Sequence, residues 1–284
     1  MPSFEELLMQ DEALVLPGAF DALSARVAVR AGARAVYMTG FGVVGSAFGV
    51  PDIGLIGASE MAERARSLAA AIAPVPLVAD GDNGYGGPAN VARLVRAYED
   101  AGVQCIQLED QVSPKRCGHM DGKEVVDREE AVARIRAAAT ARSSARFKIM
   151  ARTDARATHD LDEAMARGEA FLAAGADILF IEAPQSEADI RAIAERFKGV
   201  PLVANIVEDG KTPILPHGEL ARLGYKILLH PITALLSVTQ TLERVFSRLL
   251  AGKDVSAAER VSFQHFTDIV GLPDWQQRDK DAAR

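Results

Sequence analysis

The chain has 284 residues, of which 49% are hydrophobic and 25% charged, and its formal net charge is -7 at pH 7. This composition is ordinary for a globular protein with a sizeable core, and the negative charge argues against a nucleic-acid partner, because phosphate backbones require clustered positive charge. No apolar stretch is long enough to predict a membrane span, and the first residues, MPSFEELLMQ, predict no secretory signal. Two cysteines form no disulfide framework, so we expect a cytoplasmic protein.

Short β-branched runs alternate with longer alanine-rich segments of helical spacing along the whole chain. The predicted strands are ALVLPG, RAVYMTG, VPLVAD, VQCIQLED, FKIMART, ADILFIEA, VPLVAN and YKILLH. Strands that are apolar throughout indicate a parallel sheet with both faces covered by helices. About eight such units favour an α/β fold of the closed (β/α)8 barrel type over an open sheet. Because no linker divides the chain, we predict a single domain over 1–284 that includes a C-terminal helical arm.

Helices are predicted between the strands at 59–71, 88–100, 128–141, 162–174 and 186–197, and two more, 233–250 and 256–269, follow the last strand. Gly32, Gly102 and Gly175 stand where a helix ends and a strand begins, which favours a left-handed glycine cap. The stretch SEAD predicts a capping box, and Asp160 is well placed to cap another helix. The tail GLPDWQQRDKDAAR is either a solvated end with Trp275 against the surface or an arm that packs on a neighbouring subunit.

In barrels of this type the chemistry lies at the carboxyl ends of the strands. Polar residues recur at those positions, namely Thr39, Asp80, Glu109, Arg152, Glu182 and Asn205. Any one of them alone could cap the following helix, but all of them together predict one polar site. Arg152 is suited to clamp a carboxylate, because its planar guanidinium donates two parallel hydrogen bonds. The stretch TGFG either offers N–H groups to the same carboxylate or is a plain turn.

The stretch ADGDNGYGG places two carboxylates, Asp80 and Asp82, among several glycines. Together with Glu109 and Asp52 they form an acidic cluster that would repel itself without a cation. Such an oxygen-rich cluster suits Mg²⁺, with Mn²⁺ as an alternative, because Mg²⁺ binds a few carboxylates and completes its shell with water and substrate oxygens.

The two cysteines occur in different settings. Cys105 lies inside the apolar stretch QCIQL, as expected of a small buried residue. Cys117 lies in the polar loop VSPKRCGHMDGKEV, between cationic neighbours that favour the thiolate form. We therefore predict a chemical role for Cys117 and a structural role for Cys105.

The stretches YMTGFG, DGDNGYGG, QLEDQVSPKRCGH, ARTDA, FIEAP and ANIVEDGKTP resemble the isocitrate lyase and phosphoenolpyruvate mutase superfamily. KRCGH is typical of its lyase branch, and NIVEDGKTP resembles the 2,3-dimethylmalate lyase and oxaloacetate hydrolase branch more than the methylisocitrate lyases. The resemblance implies a TIM-type barrel whose last helix is exchanged between subunits, usually in a homotetramer formed as a dimer of dimers. Phe41 departs from the glycine of several relatives, which implies a pocket floor of different shape.

The resemblance also implies roles for individual residues. The magnesium carboxylates correspond to Asp80, Asp82 and Glu109, with Asp52 near the metal. The residues that bind the 2-oxoacid part of the ligand or line the site correspond to Thr39, Gly40, Phe41, Gly118, Arg152, Glu182 and Asn205. Lys115, Cys117 and His119 correspond to positions on a mobile loop that closes over the ligand.

These features predict retro-aldol cleavage of a small 2-hydroxy dicarboxylate, of the 2-alkylmalate or methylisocitrate type, to a 2-oxoacid and a carboxylate. The Cys117 thiol would protonate the departing carbanion, and the base would be Tyr37, His119 or a metal-bound water. Two enzymatic alternatives use the same site: oxaloacetate hydrolysis or decarboxylation, and a phosphonomutase reaction, although the best-known mutases have asparagine where this chain has Cys117. A dicarboxylate-binding sensor without catalysis is the alternative outside the enzymes.

Overall fold

The structure is a computed structural model that describes residues 1–116, 122–208 and 210–283. Eight parallel strands form a closed barrel in chain order, and the first strand pairs with the eighth. The strands are β1 Leu14–Ala19, β2 Val36–Met38, β3 Leu77–Asp80, β4 Cys105–Glu109, β5 Lys148–Thr153, β6 Ile178–Ile181, β7 Leu202–Asn205 and β8 Tyr225–His230. Each strand lies within one of the predicted runs or overlaps it closely, so the barrel prediction is confirmed.

The α-helices cover the outside of the barrel and continue beyond it. They are α1 Phe4–Leu8, α2 Ala22–Arg30, α3 Gly40–Val43, α4 Ala58–Ile72, α5 Pro88–Asp100, α6 Arg128–Ala141, α7 Ala155–Thr158, α8 Leu161–Ala173, α9 Glu187–Arg196, α10 His217–Leu223, α11 Thr233–Leu250, α12 Phe263–Ile269 and α13 Leu272–Ala282. The continuous helix predicted over 256–269 is wrong. A 3₁₀ turn, Ala257–Glu259, comes first, and Ser262 then starts α12 by accepting a hydrogen bond from the N–H of His265.

The predicted helix caps are present at the joints. Gly32, Gly102 and Gly175 have φ angles of +102°, +88° and +105°, a left-handed conformation that costs other residues strain. Asp160 caps α8 as predicted. Ser186 caps α9, and its hydroxyl donates to Oδ1 of Asp189. Oδ2 of Asp189 accepts from the backbone N–H of Gln185 rather than from that of Ser186, so the predicted capping box is only half formed.

Two apolar layers stabilise the barrel. The larger layer lies between strands and helices, and the smaller layer fills the barrel interior with residues such as Tyr37, Cys105 and Met150. Helix α1 adds Phe4 and Leu7 to this inner layer, together with Leu14 and Leu16 of β1. The end of the barrel at which the strands begin is therefore packed with apolar side chains, which leaves the carboxyl ends of the strands for a site.

The helices after β8 leave a large apolar surface uncovered in the single chain. No residue of α11 is buried, and Phe246, Leu250 and Phe263 are 56%, 89% and 84% exposed. The tail forms α13, where Trp275 is exposed and Arg278 stacks on its ring, so the expectation that Trp275 packs against the surface fails for the isolated chain. Within the described residues, no helix combines the length and apolar character needed to cross a membrane.

Candidate active site

A cavity of about 270 Å³ lies at the carboxyl ends of the strands. Predicted site residues on its wall are Tyr37, Thr39, Phe41, Asp52, Asp80, Glu109, Lys115, Arg152, Glu182 and Asn205. Asp82 joins them through an ion pair with Lys115, and Gly40 through a hydrogen bond to Asp80. The structure thus brings together the predicted site residues that it describes, whereas Cys117, Gly118 and His119 lie outside the described residues.

Lys115 lies in the centre of the acidic cluster. Its Nζ is 2.6 Å from Oδ1 of Asp52 and 2.6 Å from Oδ1 of Asp82, and all three side chains are buried. Burial by itself lowers the pKa of Lys115, but the carboxylates of Asp82, Glu109, Asp80 and Asp52 outweigh it and raise this pKa well above the usual value. Lys115 is therefore a fixed positive charge between the acids.

Asp80 is held by three N–H donors. Its Oδ1 accepts from the backbone of Asp82 at 3.0 Å and from Nε2 of Gln107 at 3.2 Å, and its Oδ2 accepts from the backbone of Gly40 at 3.2 Å. A Cβ atom on Gly40 would lie 2.6 Å from Oδ2 of Asp80, so this close approach requires glycine. Burial, followed by the charge of Asp82, raises the pKa of Asp80 to about 6.

Tyr37 and Gln107 connect the cluster to the barrel interior. The Tyr37 hydroxyl donates to Oε1 of Gln107 at 2.8 Å. Burial, reinforced by the charge of Asp80, raises the pKa of Tyr37 well above its usual value, which favours the neutral phenol. Its role as the base stays a prediction. Gln107 was not among the predicted site residues, although an amide inside the apolar strand IQL was a readable signal.

Glu109 provides the test for a metal site. Its Oε1 is buried without a hydrogen-bond partner, and burial raises the pKa of its carboxyl well above the usual value in spite of the nearby Arg152. Among the described residues, no three carboxylates, imidazoles or thiolates converge into a ready-made metal-binding group. The donor chemistry nevertheless fits Mg²⁺, because this ion uses few carboxylates and retains several waters.

Arg152 of β5 already has a partner, Asp154, just after the end of that strand. Its Nε and one Nη donate to the two oxygens of Asp154 at 3.0 and 3.1 Å, and its guanidinium stacks on Phe180 at 5.2 Å. Oε2 of Glu109 lies 3.5 Å from the same Nε. Burial lowers the pKa of Arg152, but Asp154, Glu182 and Glu109 together raise it well above its usual value. Arg152 lines the cavity, and its role as a carboxylate clamp stays a prediction.

The wall opposite the acidic cluster is mixed. Nδ2 of Asn205 donates to both oxygens of Glu182, at 3.3 and 3.1 Å, while Oδ1 of Asn205 is buried without a partner. The apolar part of this wall was missed from the sequence and consists of Phe180, Val207, Leu229, Pro231 and Ile232. Leu229 lies in the predicted strand YKILLH, and Ile232 follows that strand in the apolar stretch KILLHPI.

The chain is similar in sequence and in structure to known lyases and hydrolases. A 2,3-dimethylmalate lyase from Eubacterium barkeri is 47% identical over 270 residues, which cover 94% of this chain and 92% of the relative. A solved oxaloacetate acetylhydrolase in complex with the inhibitor 3,3-difluorooxalacetate has a TM-score of 0.95 at 34% identity, covering 99% of this chain and 96% of that one.

A solved 2,3-dimethylmalate lyase, described as a member of the PEP mutase/isocitrate lyase superfamily, has a TM-score of 0.93 at 36% identity and covers 98% of this chain and 93% of that one. The family model described as phosphoenolpyruvate phosphomutase matches residues 4–250. The resemblance predicted from the motifs is therefore confirmed, and the chain belongs to the phosphoenolpyruvate phosphomutase family within that superfamily.

Proposed function

We propose that the chain is a magnesium-dependent carbon–carbon lyase that cleaves a small 2-hydroxy dicarboxylate, with a 2-alkylmalate as the preferred substrate type. The observation that carries the proposal is the buried acidic cluster around Lys115, which faces the same small cavity as the guanidinium of Arg152. One side of the cavity suits a cation and the other suits a carboxylate. The 2,3-dimethylmalate lyase that is 47% identical over nearly the whole chain supports this reaction class.

Asp80, Asp82 and Glu109 would hold Mg²⁺, partly through water, with Asp52 nearby and Mn²⁺ as an alternative ion. The Oε1 of Glu109, buried without a hydrogen-bond partner, and the raised pKa of Asp80 support this assignment, because burial outweighs the compensation that Lys115 and Arg152 give to both carboxylates. When bound, the ion supplies positive charge that stabilises negative charge on the substrate hydroxyl oxygen.

The remaining steps use side chains of this chain. Arg152 and the cavity wall at Thr39 and Phe41 orient the carboxylate beside the hydroxyl, and a base removes the hydroxyl proton. The bond between C2 and C3 breaks, the hydroxyl oxygen becomes a carbonyl, and the electron pair stays on the departing fragment. The Cys117 thiol then donates a proton to that carbon. Cys117 and His119, one of the proposed bases, lie outside the described residues.

A substrate panel tests the proposal. The protein is incubated with Mg²⁺ and, separately, 2,3-dimethylmalate, citramalate, methylisocitrate, isocitrate, oxaloacetate and phosphonopyruvate, and the products are identified by NMR. We expect pyruvate and propionate from 2,3-dimethylmalate, with loss of the reaction in EDTA and in Asp82→Ala. Asp177→Ala, which removes a carboxylate at the start of β6, is the matched control and should retain turnover. Magnesium-dependent oxalate binding without turnover of any compound would contradict the lyase and favour a sensor.

Hydrolysis of oxaloacetate is the second candidate function. It is supported by the TM-score of 0.95 to an oxaloacetate acetylhydrolase, which is as high as the similarity to the lyase structure. In the panel, oxalate and acetate from oxaloacetate would favour this hydrolase, whereas a new phosphoryl product from phosphonopyruvate would favour the mutase.

We also propose that the chain, a single domain with its C-terminal arm, works as a cytoplasmic homotetramer with exchanged C-terminal helices. The support is the uncovered apolar surface on α11, because exposed patches of this kind commonly mark protein interfaces. Light scattering after size-exclusion chromatography should give four chains, and Phe246→Asp should reduce this number. A wild-type monomer at micromolar concentration would contradict the assembly.

A further inference from the structure

We infer that Lys123 and Asp154 are positioning residues that set the geometry and charge of Arg152 toward an anionic ligand. The inference rests on the proposed function, because it concerns the carboxylate side of the same cavity. Neither residue lines the cavity itself, so both would act through Arg152.

The three side chains form a continuous buried contact. Nζ of Lys123 is 2.7 Å from Oδ1 of Asp154, and the same Oδ1 accepts a hydrogen bond from Arg152 at 3.1 Å. Oδ2 of Asp154 accepts from Nε of Arg152 at 3.0 Å. The side chain of Asp154 is fully buried, and its backbone N–H donates to Asp110 at 2.9 Å, so the carboxylate has little freedom to follow either cation.

Charge balance gives Lys123 its role. The guanidinium of Arg152 faces not only Asp154 but also Glu109 at 3.5 Å and Glu182 at 3.9 Å. Lys115 offsets part of the charge of Glu109, but without a further cation beside Asp154 these carboxylates would neutralise Arg152 and leave little attraction for a substrate carboxylate. Lys123 supplies that positive charge at Asp154, where burial keeps water from screening it.

The chain connectivity links this contact to the predicted catalytic loop. Lys115 and Lys123 flank the segment that contains Cys117, and each is ion-paired with a buried carboxylate of the barrel. The segment is closed by an antiparallel bridge between Gln111 and Val125. Placement of Lys123 beside Asp154 therefore ties the carboxyl-terminal end of this loop to the substrate-facing arginine.

Binding of oxalate in the presence of Mg²⁺ tests the inference, because oxalate presents carboxylates without undergoing the reaction. We expect Lys123→Met to weaken oxalate binding by about tenfold or more in calorimetric titration, since loss of one partner from a buried charge pair is costly. The same variant should raise KM more than it lowers kcat, and Lys123→Arg should recover most of the affinity. The matched control is Lys148→Met. It breaks an ion pair with Glu5 at the beginning of β5, the strand that carries Arg152, and should change neither the oxalate affinity nor KM.

A double-mutant cycle separates positioning from general stability. If Lys123 acts through Asp154, its replacement should have a much smaller effect in an Asp154→Asn background than in the unsubstituted protein. Unchanged oxalate affinity in Lys123→Met, or fully additive effects in the cycle, would overturn the positioning role and leave the proposed function standing. Absence of both oxalate binding and turnover in the unsubstituted protein would overturn the proposed function and this inference with it.

Discussion

Replacement of Asp80 by asparagine should stabilise the metal-free protein at pH 8 and remove its catalytic activity. Asp80 is buried close to Asp82, and the hydrogen bonds to its two oxygens come from neutral N–H groups. Its negative charge therefore opposes folding unless another positive charge enters the site. Asparagine keeps the shape of the side chain but removes that charge.

The magnitude follows from the shift of its pKa. Burial and the charge of Asp82 raise the pKa of Asp80 from 3.8 to about 6 in the folded state. Because the folded value is the higher one, the associated stability is fully present below pH 3.8 and is lost as the pH rises through about 6. A shift of this size corresponds to about 3 kcal/mol at pH 8. Asparagine has only one acceptor oxygen, so its amide cannot accept all the hydrogen bonds that Asp80 accepts. This loss lowers the free energy of unfolding by about 1–2 kcal/mol.

The free energy of unfolding should therefore be about 1–2 kcal/mol higher in Asp80→Asn than in the wild type at pH 8. At pH 5 this difference should fall to about zero, because protonation of Asp80 then removes much of its unfavourable charge in the wild type. Urea unfolding in EDTA at both pH values measures the difference. Asp177→Asn is the control, because the Asp177 carboxylate pairs with Arg142 near the other end of the barrel. Its replacement should not raise the free energy of unfolding at either pH. If Asp80→Asn destabilises the metal-free protein equally at both pH values, the electrostatic reasoning is wrong.

Cys117→Ser should lower turnover by about a hundredfold or more while oxalate affinity is retained, and full turnover of the true substrate would exclude the thiol as proton donor. Lys115→Met leaves Asp52 and Asp82 without their shared cation, so urea unfolding at pH 8 should show a loss of about 3–5 kcal/mol; a loss no larger than that of a surface lysine would refute the pairing. Arg152→Lys removes the planar fork and should raise KM by about tenfold or more with a smaller change in kcat. An unchanged KM would show that Arg152 does not bind the substrate carboxylate.

The barrel was predictable because its signals are local. Strands such as VPLVAD and FKIMART are apolar through their length, and the glycine before several strands marks the end of the preceding helix. The break between Glu259 and Phe263 was not predicted, because the periodicity of apolar residues continues across it while Ser262 forms a new cap. The start of α12 is marked by a side-chain hydrogen bond at Ser262, which the spacing of hydrophobic residues does not predict.

The positions of the site residues were predictable, but their pairing was not. Residues at the ends of the strands were expected to meet because a barrel places those ends at one rim. One partner of Lys115 is Asp52, which is 63 positions away in the sequence, and nothing local indicates that contact. Asp154 lies in the recognised stretch ARTDA, yet the sequence does not show that its carboxylate would hold the guanidinium of Arg152.

The cavity has an acidic side and a side that contains the guanidinium of Arg152, and the two sides meet at the adjacent strands β4 and β5. The acidic side has four buried carboxylates and one lysine, namely Asp52, Asp80, Asp82, Glu109 and Lys115. Glu109 of β4 and Arg152 of β5 are register partners, so the acidic side of the cavity lies directly beside the guanidinium. A cation alone would satisfy the acidic side and a carboxylate alone the side of Arg152. A divalent ion chelated by the oxygens of a 2-hydroxy acid satisfies both at once, which is why the charge distribution of the site favours this class of ligand over a simple anion.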